Sequence, residues 1–159
     1  TLVAQAIGAQ QFERAREIGR AGLRLAMLAA VLTASTVWTL RGPIASAYSN
    51  DAGVVAASLA TLAALSLYLV FDSLQTQIGF ILRAYKITTL PMVVCVLSMW
   101  GVGLGGGYLL TVAADPAGPW GALHGSRHGA LGFWVAGVAS LALASLGLAW
   151  VLRRTWRRR

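Results

Sequence analysis

Charged side chains are scarce in this chain. Only 11% of its 159 residues are Asp, Glu, Lys or Arg, while 57% are hydrophobic. Soluble domains carry roughly 25% charged residues, so a soluble core of this size does not need so little charge. The composition therefore argues against a soluble globular domain and favours a protein whose solvent is lipid.

Acidic side chains are scarcer still. The chain has 5 Asp+Glu against 13 Lys+Arg, a formal net charge of +8. In a soluble protein this excess would suggest a nucleic-acid partner. Here the basic residues cluster at the ends of apolar runs, where they report the orientation of membrane helices. We therefore expect membrane lipid, and no nucleic acid, as a partner.

The chain also has only one cysteine and no recognisable signal peptide. The single cysteine, Cys95, allows no intrachain disulfide. The chain begins TLVAQAIG, without a charged segment and cleavage site typical of a signal peptide. Because these first residues are apolar and helix-like, we expect a fragment from the C-terminal end of a longer membrane protein.

Long apolar runs are what the chain does contain. Residues 1–9 are predicted as the end of a helix, and Pro43 is predicted to end the run that follows, because proline removes a backbone donor. Four runs reach the length of about 20 residues that a transmembrane helix needs: 21–40, 52–82, 87–114 and 129–152. Residues 153–159 (RRTWRRR) are predicted as a basic tail. The fold class is thus an all-α membrane protein.

The connections between these runs are unequally charged. If they alternate sides of the membrane, one side carries Arg14, Arg16, Arg20, Arg24, Arg83, Lys86, Arg153, Arg154, Arg157, Arg158 and Arg159. The other side carries only Arg41 and Arg127. Basic residues favour the cytoplasmic side. We therefore expect a multi-pass protein of a plasma membrane, with the C-terminus in the cytoplasm.

Two motifs allow a functional interpretation that we consider weak. Glycines spaced four apart, Gly101 with Gly105 and Gly103 with Gly107, follow no strand, so they predict close helix contact or a helix break rather than a phosphate loop. His124 and His128 have the spacing of metal ligands on a helix. Gly125 lies between them and no Cys or Glu is near, so we expect no metal site there.

A single polar stripe stands out in the second predicted span. At 3.6 residues per turn, one face collects the polar side chains and one glycine: Ser58, Thr61, Tyr68, Asp72, Gln75, Thr76, Gly79 and Arg83. An acid near the middle of a bilayer costs about 3 kcal/mol on insertion scales, which makes Asp72 a functional candidate. The alternative is a carboxylate that pairs with a neighbouring helix or lies at the inner interface. Gln75 and Thr76 would extend the polar wall and line a cavity.

Several short motifs, in this order and spacing, resemble the multidrug and toxic compound extrusion (MATE) transporters of the NorM-like branch. They are Val3–Gly8 (VAQAIG), the Tyr68-x-x-x-Asp72-x-x-Gln75 pattern, Leu82–Lys86 (LRAYK), Pro91-Met92, Trp100-x-x-Gly103-Leu104-x-x-Gly107-Tyr108 and Gly132-Phe133-Trp134. The resemblance covers essentially the whole chain. It implies the C-terminal part of the second lobe of a twelve-helix protein, with four full transmembrane helices and the end of a fifth.

The resemblance also implies a function. Such proteins are secondary active exporters that take up Na⁺ or H⁺ while they expel amphipathic organic cations by alternating access. The family's acid in the Tyr-x-x-x-Asp pattern binds the coupling ion, which implies this role for Asp72 with Tyr68 one turn away. No cofactor is expected, and no metal beyond a transported Na⁺ at Asp72. The missing N-terminal lobe is the implied protein partner.

Two other classes stay open at this stage. A flippase for lipid-linked precursors has a related architecture, but transport of anionic headgroups would predict basic residues inside the cavity, and here they lie at the helix ends. A non-transporting scaffold subunit would not need the polar stripe. An enzyme should present a second acid, a His or a Ser/Lys pair at membrane depth; the sequence offers none, so we expect no enzyme.

Overall fold

The computed structural model describes residues 1–113 and 129–158, and every regular element in these ranges is helical. The all-α prediction is confirmed. In chain order the helices are α1 (Leu2–Gly8), α2 (Phe12–Tyr48), α3 (Ala52–Ala84), α4 (Thr89–Val96), α5 (Gly106–Tyr108) and α6 (Gly129–Arg158). Two π-helical stretches, Leu97–Gly105 and Leu109–Ala113, join α4 and α5 into one rod. We call residues 89–113 the fourth rod, because they follow the three helices α1, α2 and α3.

Four of these helical segments are long and apolar enough to cross a membrane. They are Phe12–Tyr48, Ala52–Ala84, Thr89–Thr111 and Leu131–Arg157. Large apolar side chains such as Leu25, 70% exposed, and Leu146, 69% exposed, lie on their outer surfaces. Exposing such apolar surfaces costs little free energy in lipid, whereas exposing them to water is unfavourable. The chain is therefore a multi-pass membrane protein.

Helix α2 is longer at both ends than the predicted run 21–40. It begins at Phe12, where Glu13 in the first turn accepts a 2.7 Å hydrogen bond from Arg16. The prediction that Pro43 ends the helix is wrong, because α2 continues to Tyr48. Proline removes one backbone hydrogen bond, and inside a bilayer the remaining bonds must stay within the helix. The Ser46 hydroxyl donates to the carbonyls of Gly42 and Pro43, at 3.0 and 3.2 Å.

Sharp ends separate α2 from α3 and α3 from the fourth rod. Asp51 caps α3, since its Oδ1 accepts from the backbone N–H of Gly53 at 2.8 Å and of Val54 at 2.9 Å. At the other end Lys86 has φ 61°, and its N–H donates to the Arg83 carbonyl at 2.9 Å. This left-handed residue turns the chain back toward the membrane within three residues.

The glycines of the fourth rod allow close contact with α6. A Cβ at Gly103 would lie 3.1 Å from Ser140 Oγ, and one at Gly107 would overlap the Phe133 ring. The prediction of close helix contact is confirmed for Gly103 and Gly107, whereas Gly101 and Gly105 contact no other helix. The rod is not broken, because π-helical turns continue through the glycines. Helix α6 also extends beyond the predicted span, since residues 153–158 of the basic tail remain helical.

The hydrophobic core lies between α3 and α6, toward the Arg83 end of α3. It consists of buried apolar side chains from both helices: Ile78, Ile81, Leu82, Tyr85, Leu148, Val151 and Leu152. Ser145 of α6 donates to the Phe71 carbonyl of α3 at 3.0 Å. One face of α3 thus packs in this core, and the polar stripe lies on the neighbouring face of the helix.

Candidate functional site

The candidate site is built on the polar stripe of α3. Tyr68, Asp72, Gln75 and Thr76 lie within a sector of about 100° around the helix, at about 100° per residue. The Tyr68 ring contacts Trp134 of α6, and the Gln75 side chain contacts Cys95 of the fourth rod. The structure therefore keeps all four predicted site residues on one surface.

Asp72 is half-buried on this surface. Within residues 1–113 and 129–158, no hydrogen bond or ion pair reaches its carboxylate. The nearest cation along the helix, Arg83, is about 16 Å away at about 1.5 Å per residue. If Arg83 lies at headgroup level, Asp72 lies near the centre of a hydrocarbon core about 30 Å thick. The described residues thus leave the carboxylate neither paired nor fully in bulk water.

Tyr68, one turn before Asp72, is held by α6. Its ring meets that of Trp134 edge to face, with the centroids 5.8 Å apart and the planes at 78°. Gly137 of α6 lies beside the ring, and a Cβ there would be in ordinary van der Waals contact with it at 3.8 Å. Such aromatic pairs contribute about 0.5–1.5 kcal/mol beyond burial. The ring next to Asp72 is therefore fixed in place.

Gln75, one turn after Asp72, contacts the fourth rod. Its Nε2 donates to Cys95 Sγ at 3.2 Å. Its Oε1 is buried and has no hydrogen-bond partner among the described residues. Sulfur is a weak acceptor, so the amide is held loosely and only by its nitrogen.

A groove of about 350 Å³ separates α3 from the fourth rod just beyond Asp72. Its polar lining comes from Gln75, Thr76, Arg83, Thr88 and Cys95. Thr76 is exposed to the groove, and the Arg83 guanidinium lies 5.4 Å from the Phe80 ring centroid. Gln75 and Thr76 thus line a cavity in this structure, and a basic side chain marks its far end.

Resident metal binding receives no support from the part of the chain that the structure describes. There, no three His, Cys, Asp or Glu side chains come together. His124 and His128 lie outside the described residues. An alkali cation at Asp72 would be transported cargo rather than a resident cofactor, and oxygen is the ligand that hard cations prefer.

Two partners of the site were missed by sequence reasoning. Cys95 was interpreted only as a cysteine without a disulfide partner, yet it accepts the hydrogen bond from Gln75. Trp134 lies in the Gly132-Phe133-Trp134 motif, and its ring packs on Tyr68. Both contacts join residues far apart in the chain, and helical periodicity within one segment carries no signal for them.

These features define a multi-pass membrane protein with an acid on a polar helix face that has no partner within residues 1–113 and 129–158. A model of the MatE family matches residues 1–109. The chain belongs to the MatE family. No solved structure matches it.

Curated relatives bear the same printed name, "Probable multidrug resistance protein NorM". The protein from Aromatoleum aromaticum is 35% identical over 157 residues, which are 99% of this chain and 32% of that protein. The protein from Neisseria meningitidis serogroup B is 34% identical over 146 residues, 92% of this chain and 29% of that protein. The protein from Chromobacterium violaceum is 36% identical over 152 residues, which are 96% of this chain and 31% of that protein. The chain spans about a third of the length of these relatives.

Proposed function

We propose that the full-length protein is a secondary active multidrug exporter that couples the entry of Na⁺ or H⁺ to the expulsion of amphipathic organic cations. The observation that carries the proposal is Asp72, a half-buried acid without a partner among the described residues, on a helix long enough to span a membrane. The relatives' name, a multidrug resistance protein, supports the substrate class. On this proposal the protein is a transporter and not an enzyme.

Asp72 would couple the entry of the ion to the export of the drug by binding the coupling ion and the organic cation alternately. An unpaired carboxylate is costly in apolar surroundings, so the site favours a bound Na⁺, a bound proton or a bound organic cation. Since the carboxylate neutralises one of them at a time, ion and drug compete for it. Competition at a site that opens alternately to each side of the membrane produces exchange rather than leakage.

Tyr68 would orient the Asp72 carboxylate or the bound ion without itself carrying a charge. Its ring is fixed by Trp134 and lies one turn from Asp72. Its hydroxyl is a neutral oxygen that can donate to the carboxylate or contribute to a Na⁺ site. Gln75 and Thr76 extend the polar wall toward the groove.

The driving force follows from the charges exchanged. One monovalent ion traded for a neutral drug uses the membrane potential, which supplies about 2.3 kcal/mol per charge at 100 mV. That corresponds to roughly a fifty-fold concentration ratio, at about 1.4 kcal/mol per tenfold. A trade against a monovalent drug cation moves no net charge, so the ion's concentration gradient must drive it. At this membrane potential, one coupling site is therefore energetically sufficient for the export of a neutral drug.

The proposed exporter also needs a second lobe and a defined orientation in the membrane. A cavity between two lobes requires the N-terminal lobe as the partner of this segment. The uneven distribution of basic residues supports a bacterial inner-membrane location with the C-terminus in the cytoplasm.

The test is Asp72→Asn in the full-length protein, reconstituted into liposomes. We expect the variant to lose export of ethidium driven by an imposed Na⁺ or H⁺ gradient, because an amide neither takes up a proton nor offers a charge to a cation. Asp51→Asn is the matched control: it makes the same change on the same helix, at an exposed cap where Asn also serves. Unchanged, still ion-driven export by Asp72→Asn would end the proposal.

A further inference from the structure

Gln75 is an unusual feature of the groove between α3 and the fourth rod. Its amide nitrogen is engaged by Cys95 Sγ at 3.2 Å, while its amide oxygen is buried without a partner in the described part of the chain. Leaving a buried carbonyl unpaired costs free energy, and a thiol contact returns little of it. The amide is therefore poised to turn toward any ligand in the groove that offers a hydrogen-bond donor.

The charges around the groove fix how a cationic ligand must lie. Arg83 lines one end, and Asp72 lies one turn beyond the other end. The positive centre of a ligand is repelled from the first and attracted by the second. Gln75 lies about 4.5 Å along the helix from Asp72, at about 1.5 Å per residue. The part of the ligand that reaches Gln75 is thus the group next to its positive centre.

The remaining walls suit a flat apolar body. Phe80, 55% exposed, and Met92, 66% exposed, line the groove from its two sides. A methionine side chain adapts its shape to different ligands, and an aromatic ring stacks on planar ones. The volume of about 350 Å³ lies at the small end of the range for small-molecule pockets, about 300–1,000 Å³.

We infer that Gln75 determines specificity: among amphipathic organic cations, it selects those with N–H donors beside their positive centre. This inference rests on the proposed function and adds a chemical preference to it. The Gln75 side chain rotates away from Cys95, and its Oε1 accepts a hydrogen bond from the bound cation. A site that offers a buried acceptor discriminates against an analogue that lacks the donor, because the acceptor then stays unpaired.

The test compares two dyes that share a cationic acridine ring. Proflavine carries exocyclic NH₂ groups, whereas in acridine orange these are dimethylated and donate no hydrogen bond. Binding to the purified full-length protein is measured by fluorescence polarisation without any ion gradient. We expect wild type to prefer proflavine by about tenfold, the value of one buried hydrogen bond. Gln75→Leu should abolish this preference, chiefly by weakening proflavine binding.

Two further variants keep the test decisive. Cys95→Ala removes the thiol but keeps the Gln75 oxygen, so the preference should remain. Gln75→Glu keeps acceptor oxygens, so the preference should be at least as large as in wild type. Its loss in this variant would overturn the inference even if Gln75→Leu does not fold.

A preference that survives in Gln75→Leu, or that is lost in Gln75→Glu, would overturn the inference while leaving the exporter proposal intact. Wild-type protein that binds both dyes equally would do the same. Wild-type protein that binds neither dye would overturn the inference and the proposed substrate class together.

Discussion

The two sides of α3 differ in how well their groups are satisfied. On the packed side, Ile78 and Leu82 are at most 2% exposed, and the Phe71 carbonyl receives an additional hydrogen bond from Ser145 of α6. On the stripe side, Asp72 has no partner among the described residues, and Gln75 leaves its oxygen unpaired. One helix thus presents a completed interface and an incomplete one.

This contrast separates the residues that hold the segment together from those available for ligands. Unpaired polar groups at membrane depth are expensive, so they persist where a function needs them. The packed side secures α3 against α6 through apolar contacts and the hydrogen bond from Ser145 to the Phe71 carbonyl. We therefore expect substitutions on the packed side to change stability, and substitutions on the stripe to change binding and transport.

The largest stability effect should come from Leu82, which is fully buried. Leu82→Ala leaves a cavity in the core and should lower the free energy of unfolding of the full-length protein by about 2–5 kcal/mol. The measurement is thermal unfolding in detergent, followed by loss of folded protein on size-exclusion chromatography.

The matched control for Leu82 is Thr76→Ala, six residues away on the exposed stripe. It should change the free energy of unfolding by less than about 0.5 kcal/mol. If both variants lost the same stability, the distinction between the two sides of α3 would be wrong.

A smaller effect is expected at Ser145, whose hydroxyl reaches across to the Phe71 carbonyl at 3.0 Å. Ser145→Ala should cost about 0.6 kcal/mol, the average measured for hydrogen bonds between membrane helices. Thr155→Ala is the control, because the Thr155 hydroxyl donates to Val151 within its own helix. Equal losses in the two variants would show that the contact between helices adds nothing.

Much of the fold was predictable from the sequence because lipid imposes strong constraints. A charge-poor run of spanning length must be helical, and this reasoning identified the all-α fold and the regions of its four long helices. Their ends were predicted less well. Pro43 suggested an end to α2, because rules from soluble helices treat proline as a breaker, whereas a bilayer favours helix on both sides of it.

The candidate site was predictable to the extent that it lies on one helix. The period of α3 alone grouped Tyr68, Asp72, Gln75 and Thr76 on one face. It gave no information on what lies opposite them, since Trp134 and Cys95 belong to other helices. The assignment of Asp72 to the coupling ion stays a prediction.

Infrared difference spectroscopy of the full-length protein would test that assignment most directly. Adding Na⁺ or acid to wild type should produce a carboxylate or carboxylic-acid difference band. The band should persist in Asp51→Asn and disappear in Asp72→Asn. The same ion-dependent band in Asp72→Asn as in wild type would show that the coupling ion binds elsewhere and would contradict the account.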